Sequence, residues 1–194
     1  SRDIQTQESI NEAFLQFQAS NYTSIQGEYG FIDRSDFTGY RQGTVIQSNE
    51  PGILNLNYTQ DWVRSEDAIL NQRGEWFRQK GDIGKELFGN WTPYIGFEQE
   101  QRTERNQQSD TLLNSSFSFF EIGPGIRYNS SAIYVDANLI YREERGVLNN
   151  ALENQFRSIE QRFRLEYAPS NSFSTKNEIA VRSKDFTTGF EELG

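Results

Sequence analysis

The feature that most constrains this fold is an alternation of apolar and polar residues, clearest from Ile133 to Arg142 and interrupted there at Ile140. Ile133, Val135, Ala137, Leu139 and Tyr141 share one parity; Tyr134, Asp136, Asn138 and Arg142 share the other. Successive side chains of a β-strand point to opposite faces, so this pattern specifies a strand with one apolar and one polar side. The same pattern returns from Ile159 to Tyr167, where Ile159, Phe163, Leu165 and Tyr167 oppose Glu160, Arg162, Arg164 and Glu166. Leu54, Leu56, Tyr58 and Trp62 oppose Asn55, Asn57, Thr59 and Asp61, and Trp91, Pro93, Ile95 and Phe97 oppose Thr92, Tyr94 and Glu98. Weaker runs at 13–19, 24–31, 39–48, 74–83, 114–128 and 172–184 complete a set of about ten strands. The 114–128 run is apolar on both sides at Phe119 and Phe120, which predicts a bulge or a change of face near Gly123-Pro124-Gly125.

The connections carry as much information as the strands. Ser20-Asn21, Asn49-Glu50-Pro51-Gly52, Asn129-Ser130-Ser131 and Pro169-Ser170-Asn171 have the chemistry of tight turns. The 84–89 joint is the least regular of this short class. Between them fall polar segments that read as long loops: Ser65 to Arg73, Glu100 to Thr111 and Glu143 to Asn154. Within Arg145–Phe156, the spacing of Val147, Leu148, Ala151, Leu152 and Phe156 suggests a short helix carried on a loop. The expected fold is all-β, an antiparallel up-and-down meander of about ten strands. It forms a single unit over 1–194, a transmembrane β-barrel or part of one. Short turns at one end and long loops at the other are the plan of such a barrel.

Composition removes whole classes of function. The net charge is -9, and phosphate binding requires a surplus of Lys and Arg, so nucleic acid is not an expected partner. With no His and no Cys, Ser-His-Asp and Cys-His nucleophilic sites cannot be built and the usual zinc sites are nearly excluded. The chain has no Met and opens at Ser1, which reads as a processed product or an excised segment. No run of about 18 apolar residues is present to make a membrane-spanning helix. Aromatic residues make up 14% of a chain only 35% apolar, which favours sheet over helical bundle.

Motifs for chemistry are weak. Glu98 with Glu100, Asp33 with Asp36, Glu66 with Asp67 and Glu143 with Glu144 are carboxylate pairs of the kind a glycosidase uses. A chain with 28 acidic residues produces such pairs by composition alone. Gly81-Asp82-Ile83-Gly84-Lys85-Glu86 fails the phosphate-loop pattern in its glycine spacing and in the residue after Lys85. The loop carboxylates lack EF-hand spacing. The expectation is no enzyme, no cofactor, no metal and no catalytic residue.

In a barrel the apolar faces meet lipid and the polar faces line the lumen. The expected lumen-lining residues are Asp136, Asn138, Arg142, Glu160, Arg162, Arg164, Glu166, Lys176, Glu178 and Arg182. Opposite charges on the last two strands are placed to pair across a tight turn. Tyr58, Trp62, Trp91, Tyr141 and Tyr167 are the expected girdle aromatics at the membrane boundaries. Gln60, Gln161, Asn177 and Ser183 share the apolar parity, so the barrel reading requires them to lie beyond the apolar band.

Through the Ile133–Arg142 and Ile159–Tyr167 alternations and the turn-loop plan, the chain resembles large outer-membrane β-barrels of Gram-negative bacteria, of the Bacteroidota-like kind. The resemblance is one of pattern over nearly the whole chain. It implies an outer-membrane location, lipid as the surrounding partner, other barrel or periplasmic proteins as further partners, and a role as pore, secretion channel or surface scaffold. Barrels of this kind usually end in a strand closed by a terminal aromatic. This chain ends Phe190-Glu191-Glu192-Leu193-Gly194, which implies a segment of a larger barrel or a chain that is not such a barrel. The alternative is a secreted, soluble β-sandwich that binds glycans or a protein partner through an aromatic face.

Overall fold

The computed structural model describes residues 9–51, 54–87, 90–108, 111–149, 151–170 and 173–187. They form one sheet of ten antiparallel strands in sequence order. The strands are β1 Ser9–Gln18, β2 Thr23–Asp33, β3 Phe37–Asn49, β4 Asn55–Asp67, β5 Gln72–Gly84, β6 Trp91–Gln108, β7 Thr111–Asn129, β8 Ile133–Leu148, β9 Ala151–Ser170 and β10 Phe173–Thr187. Each strand packs on its sequence neighbours, and no second layer covers the sheet among the described residues. The meander is therefore an up-and-down sheet and not a sandwich. It is not closed: β1 is paired with β2 alone and β10 with β9 alone.

Three local expectations are corrected. The long polar segments are mostly strand, with a four-residue turn at Ala68–Asn71 between β4 and β5. β6 runs to Gln108 and β7 resumes at Thr111, while β8 runs to Leu148 and β9 resumes at Ala151. From Glu100 to Gln108 both parities are polar, and at the β8–β9 tip Val147-Leu148 and Ala151-Leu152 are apolar on both, so the sequence loses its two-fold contrast while the backbone keeps pairing. Arg145–Phe156 is likewise not a helix but the tip of the β8–β9 hairpin. It reverses at Asn149 with φ of 49°, a left-handed conformation that Asn tolerates. Nor is there a bulge or face switch at Gly123–Gly125, since β6–β7 pairing keeps one register from Trp91↔Tyr128 to Gln108↔Thr111. Phe119 faces inward beneath the Arg142 guanidinium, and Phe120 faces outward and is exposed.

The two faces are unlike in exposure as well as chemistry. On β9 the polar parity is the sheltered one: Ser158 is 3% and Glu160 4% exposed, whereas Ile159 between them is 54% exposed. A flat single-layer sheet would expose both faces equally, so the sheet curls into a trough with its polar face inside. Among the described residues the only buried apolar side chains are Tyr94 and Phe119, and both lie on the inner face. The apolar residues that would form a core in a water-soluble domain are instead displayed outward.

Two glycines show how the inner wall is fitted together. A Cβ on Gly123 would run into the Leu139 carbonyl of β8, so only Gly allows that backbone approach. A Cβ on Gly125 would run into the Tyr94 ring, which lies across this position from β6.

Candidate functional site

The inner face is a band of ion pairs reaching from β2 to β10. Arg41 lies 3.8 Å from Glu28 and 3.9 Å from Asp61, joining β3 to both neighbours. Arg78 is 2.6 Å from Glu98 and 4.0 Å from Glu100. Arg127 is 3.0 Å from Asp82 and 3.6 Å from Asp136, and its guanidinium sits 3.9 Å over the Tyr94 ring. Arg142 pairs with Glu121 and Glu144 and stacks 4.1 Å over Phe119. Glu160 receives both Arg162 and Arg182, and Arg164 pairs with Glu166.

Several contacts skip a strand. Tyr94 on β6 donates its hydroxyl to Asp136 on β8 at 2.6 Å, reaching across Gly125 on β7. Asn138 donates to the same Tyr94 hydroxyl at 3.1 Å. Arg127 on β7 reaches Asp82 on β5, and Arg162 on β9 comes within 3.9 Å of Glu121 on β7. Strands two apart are separated by about 9.6 Å, so long side chains on a concave wall are what make these contacts close. Around Tyr94 and Arg127 lies a concavity of about 340 Å³ lined by residues from β4 through β9.

All ten residues expected to line a lumen share this inner face. Lys176, Glu178 and Arg182 of β10 stand opposite Glu166, Arg164 and Glu160 of β9. The Glu160–Arg182 pair realises the cross-strand pairing expected over the β9–β10 turn. Sequence reasoning missed Asp82, Tyr94, Glu121, Arg127 and Glu144. Two of them face glycines in the paired strands, Tyr94 facing Gly84 and Gly125 and Asp82 facing Gly96, but Glu121, Arg127 and Glu144 face none, and nothing in the sequence names the partners. Glu98 and Glu100, the strongest carboxylate pair, are shared by Arg78. Among the described residues no three acidic groups gather as metal ligands.

The five expected girdle aromatics all fall on the outer face. Trp62 donates its indole N–H to Glu75 at 2.8 Å, and Tyr141 donates its hydroxyl to Glu143 at 3.2 Å. Trp91 packs on Tyr128 with ring centroids 4.9 Å apart, and Tyr167 packs on Phe173 at 6.5 Å, toward the other end of the strands. Tyr58 stands inside the apolar zone, between Leu56 and Trp62, with its hydroxyl on Gln60 and Gln79.

The outer apolar zone crosses the sheet diagonally. On β2 it runs from Ile25 to Phe31, and on β8 from Ile133 to Tyr141. Following paired residues across the ladder, Phe31 shares a row with Val147, six residues above Tyr141. Ile25 shares a row with Tyr141, eight residues above Ile133. The zone thus descends six to eight residues over the six strand steps from β2 to β8. At about 3.3 Å per residue and about 4.8 Å per strand, that slope is roughly 35–42°. Ser183 lies just above the zone, next to Val181. Gln60, Gln161 and Asn177 lie within it, contrary to expectation; Gln60 accepts from Tyr58, and Asn177 donates to Thr175. No known protein family, curated protein or solved structure matches the chain.

Proposed function

We propose that this chain forms the wall of an outer-membrane β-barrel and works as a non-enzymatic surface scaffold or channel body, with lipid against its outer face. The observation that carries the reading is the diagonal apolar zone. Membrane barrel strands tilt about 35–45° to the barrel axis, so a level lipid band must cross their ladder rows obliquely. The slope of roughly 35–42° falls in that range. Eight residue steps on β8, about 26 Å along the strand, foreshorten at this tilt to about 20 Å, near the height of about 25 Å typical of an apolar barrel band. Lipid is also the one solvent in which Ile95, Ile159, Ile179 and Val181, all more than half exposed, sit without cost.

The inner face favours the scaffold over the open pore. Among the described residues all of its arginines but Arg102 are bound to neighbouring carboxylates, so most of its cationic charge is already neutralised against a passing solute. The test is reconstitution of the whole chain with and without phospholipid vesicles. Folding to β-structure only with vesicles, flotation with them and a different gel mobility before and after boiling are the expected results. A soluble, monomeric β-protein that ignores vesicles would overturn the reading. Single-channel conductance of the reconstituted protein separates scaffold from pore, and a silent bilayer is expected.

A further inference from the structure

The sheet has two free edges, and a free edge cannot persist in hydrocarbon because its N–H and C=O groups have no water to bond. Resting on the membrane reading above, we infer that β1 and β10 are each other's partners, with Lys176 opposite Glu12, so that the ten strands close into one barrel. The strand count is even, so β1 and β10 already run antiparallel.

Two independent features select the register. The first is charge. Most charged residues of the inner face are paired; among the described residues Glu12 is the one charge of β1's inner face and has no ion pair, and on β10 Lys176 has none either, as is also true of Glu178 and Lys184 on β10 and of Lys80, Arg102 and Glu104 further in. Glu12 and Lys176 are opposite in sign and lie on the two free edges.

The second is the slope of the apolar zone. A descent of six to eight residues over six strand steps becomes about ten to thirteen over a full circuit of ten. The offset between Lys176 and Glu12 can be counted separately. Ser183 shares a ladder row with Ile159, Tyr141, Ile25 and Phe17. Lys176 lies seven residues below Ser183 and Glu12 five residues above Phe17, an offset of twelve. That value falls inside the interval set by the lipid face. It is also even, as it must be to keep inner residues inside. The same register sets Asn177 opposite Asn11 on the outer face. In the structure the edges stand apart, and closure requires the trough to curl further.

The chain contains no Cys, so an introduced pair is unambiguous. Asn11→Cys with Asn177→Cys in the full chain, folded with phosphatidylcholine vesicles and mildly oxidised, is expected to give an intramolecular disulfide in most molecules. Asn11→Cys with Val181→Cys, four residues out of register, is expected to give little. Lys176→Glu is expected to lower the temperature at which the folded gel band is lost, and adding Glu12→Lys to restore it. Free thiols in both cysteine variants would overturn the inference and leave the edges to further strands of a larger barrel. A disulfide between two copies would overturn it in favour of a dimer. Equal oxidation of both variants, or no rescue by the charge swap, would also overturn it. Flotation of the cysteine-free parent separates the two levels. A parent that floats while the thiols stay free loses only the closure. A parent that does not float loses the membrane reading and the closure with it.

Discussion

The inner walls of β2–β4 and β7–β9 are built from the same residue types and behave differently. On the first, Arg41 and Glu28 are 3.8 Å apart with side chains 57% and 53% exposed. On the second, Arg142 and Glu121 are in contact with side chains 18% and 9% exposed. The first pair is surrounded by water, and such pairs contribute about 0–1 kcal/mol. The second is shielded by Phe119 beneath the guanidinium and by the neighbouring wall. The strands differ in parallel: β6–β9 run 16 to 20 residues against 10 to 13 for β1–β5. A charge pair thus gains structural weight from the curl and length of the wall around it, not from its own geometry alone.

The contrast can be broken most sharply at Glu160. It holds Arg162 and Arg182, and Glu160→Ala leaves both cations without their shared acceptor on a sheltered wall. The expected loss is about 3–5 kcal/mol, the range for breaking a buried pair from one side, read as a fall in the denaturant midpoint of the vesicle-folded protein. An unchanged midpoint would mean that the β7–β9 wall is as wet as β2–β4.

A somewhat smaller effect is expected on the outer side of the same wall. Leu139→Arg stands well inside the apolar zone of β8 and should cost about 2–4 kcal/mol in vesicles. The same change at a water-facing position should be nearly neutral, so Ile69→Arg in the exposed β4–β5 turn, measured in the same vesicles, is the control. Gly125→Ala comes next. The new methyl meets the Tyr94 ring and should disturb the Tyr94–Asp136 hydrogen bond, costing about 1–3 kcal/mol. Tyr94→Phe would then add little on top, because the bond is already compromised. The smallest effect is expected from Arg41→Ala, below about 1 kcal/mol by the same denaturation measurement. A loss equal to that of Glu160→Ala would erase the difference between the two walls.

How far the sequence could be read depended on contrast between the faces. Ile133–Tyr141 gave its strand and both faces at sight, because Val135, Ala137 and Leu139 alternate with Asp136 and Asn138. Glu100–Gln108 did not, because there both faces are polar and parity leaves no trace. The inner-face partners of β10 were legible because the turn chemistry of Pro169-Ser170-Asn171 marks β9 and β10 as hairpin neighbours. The Tyr94–Asp136 and Arg127–Asp82 contacts were not, since each joins strands two apart. No sequence period reports that spacing.

The sequence by itself determined that there are about ten strands, where most of them reverse, and which residues share a face. It could do so because side-chain direction in a strand has a period of two residues and turn chemistry is local. Only the tertiary structure decided that the polar face is the sheltered one and that the apolar zone climbs the ladder at a slope. It also decided that arginines bridge strands that are not neighbours. Those properties come from the curl and stagger of the whole sheet. They are sums of small twists and register offsets over many hydrogen-bonded pairs, and no single strand carries them.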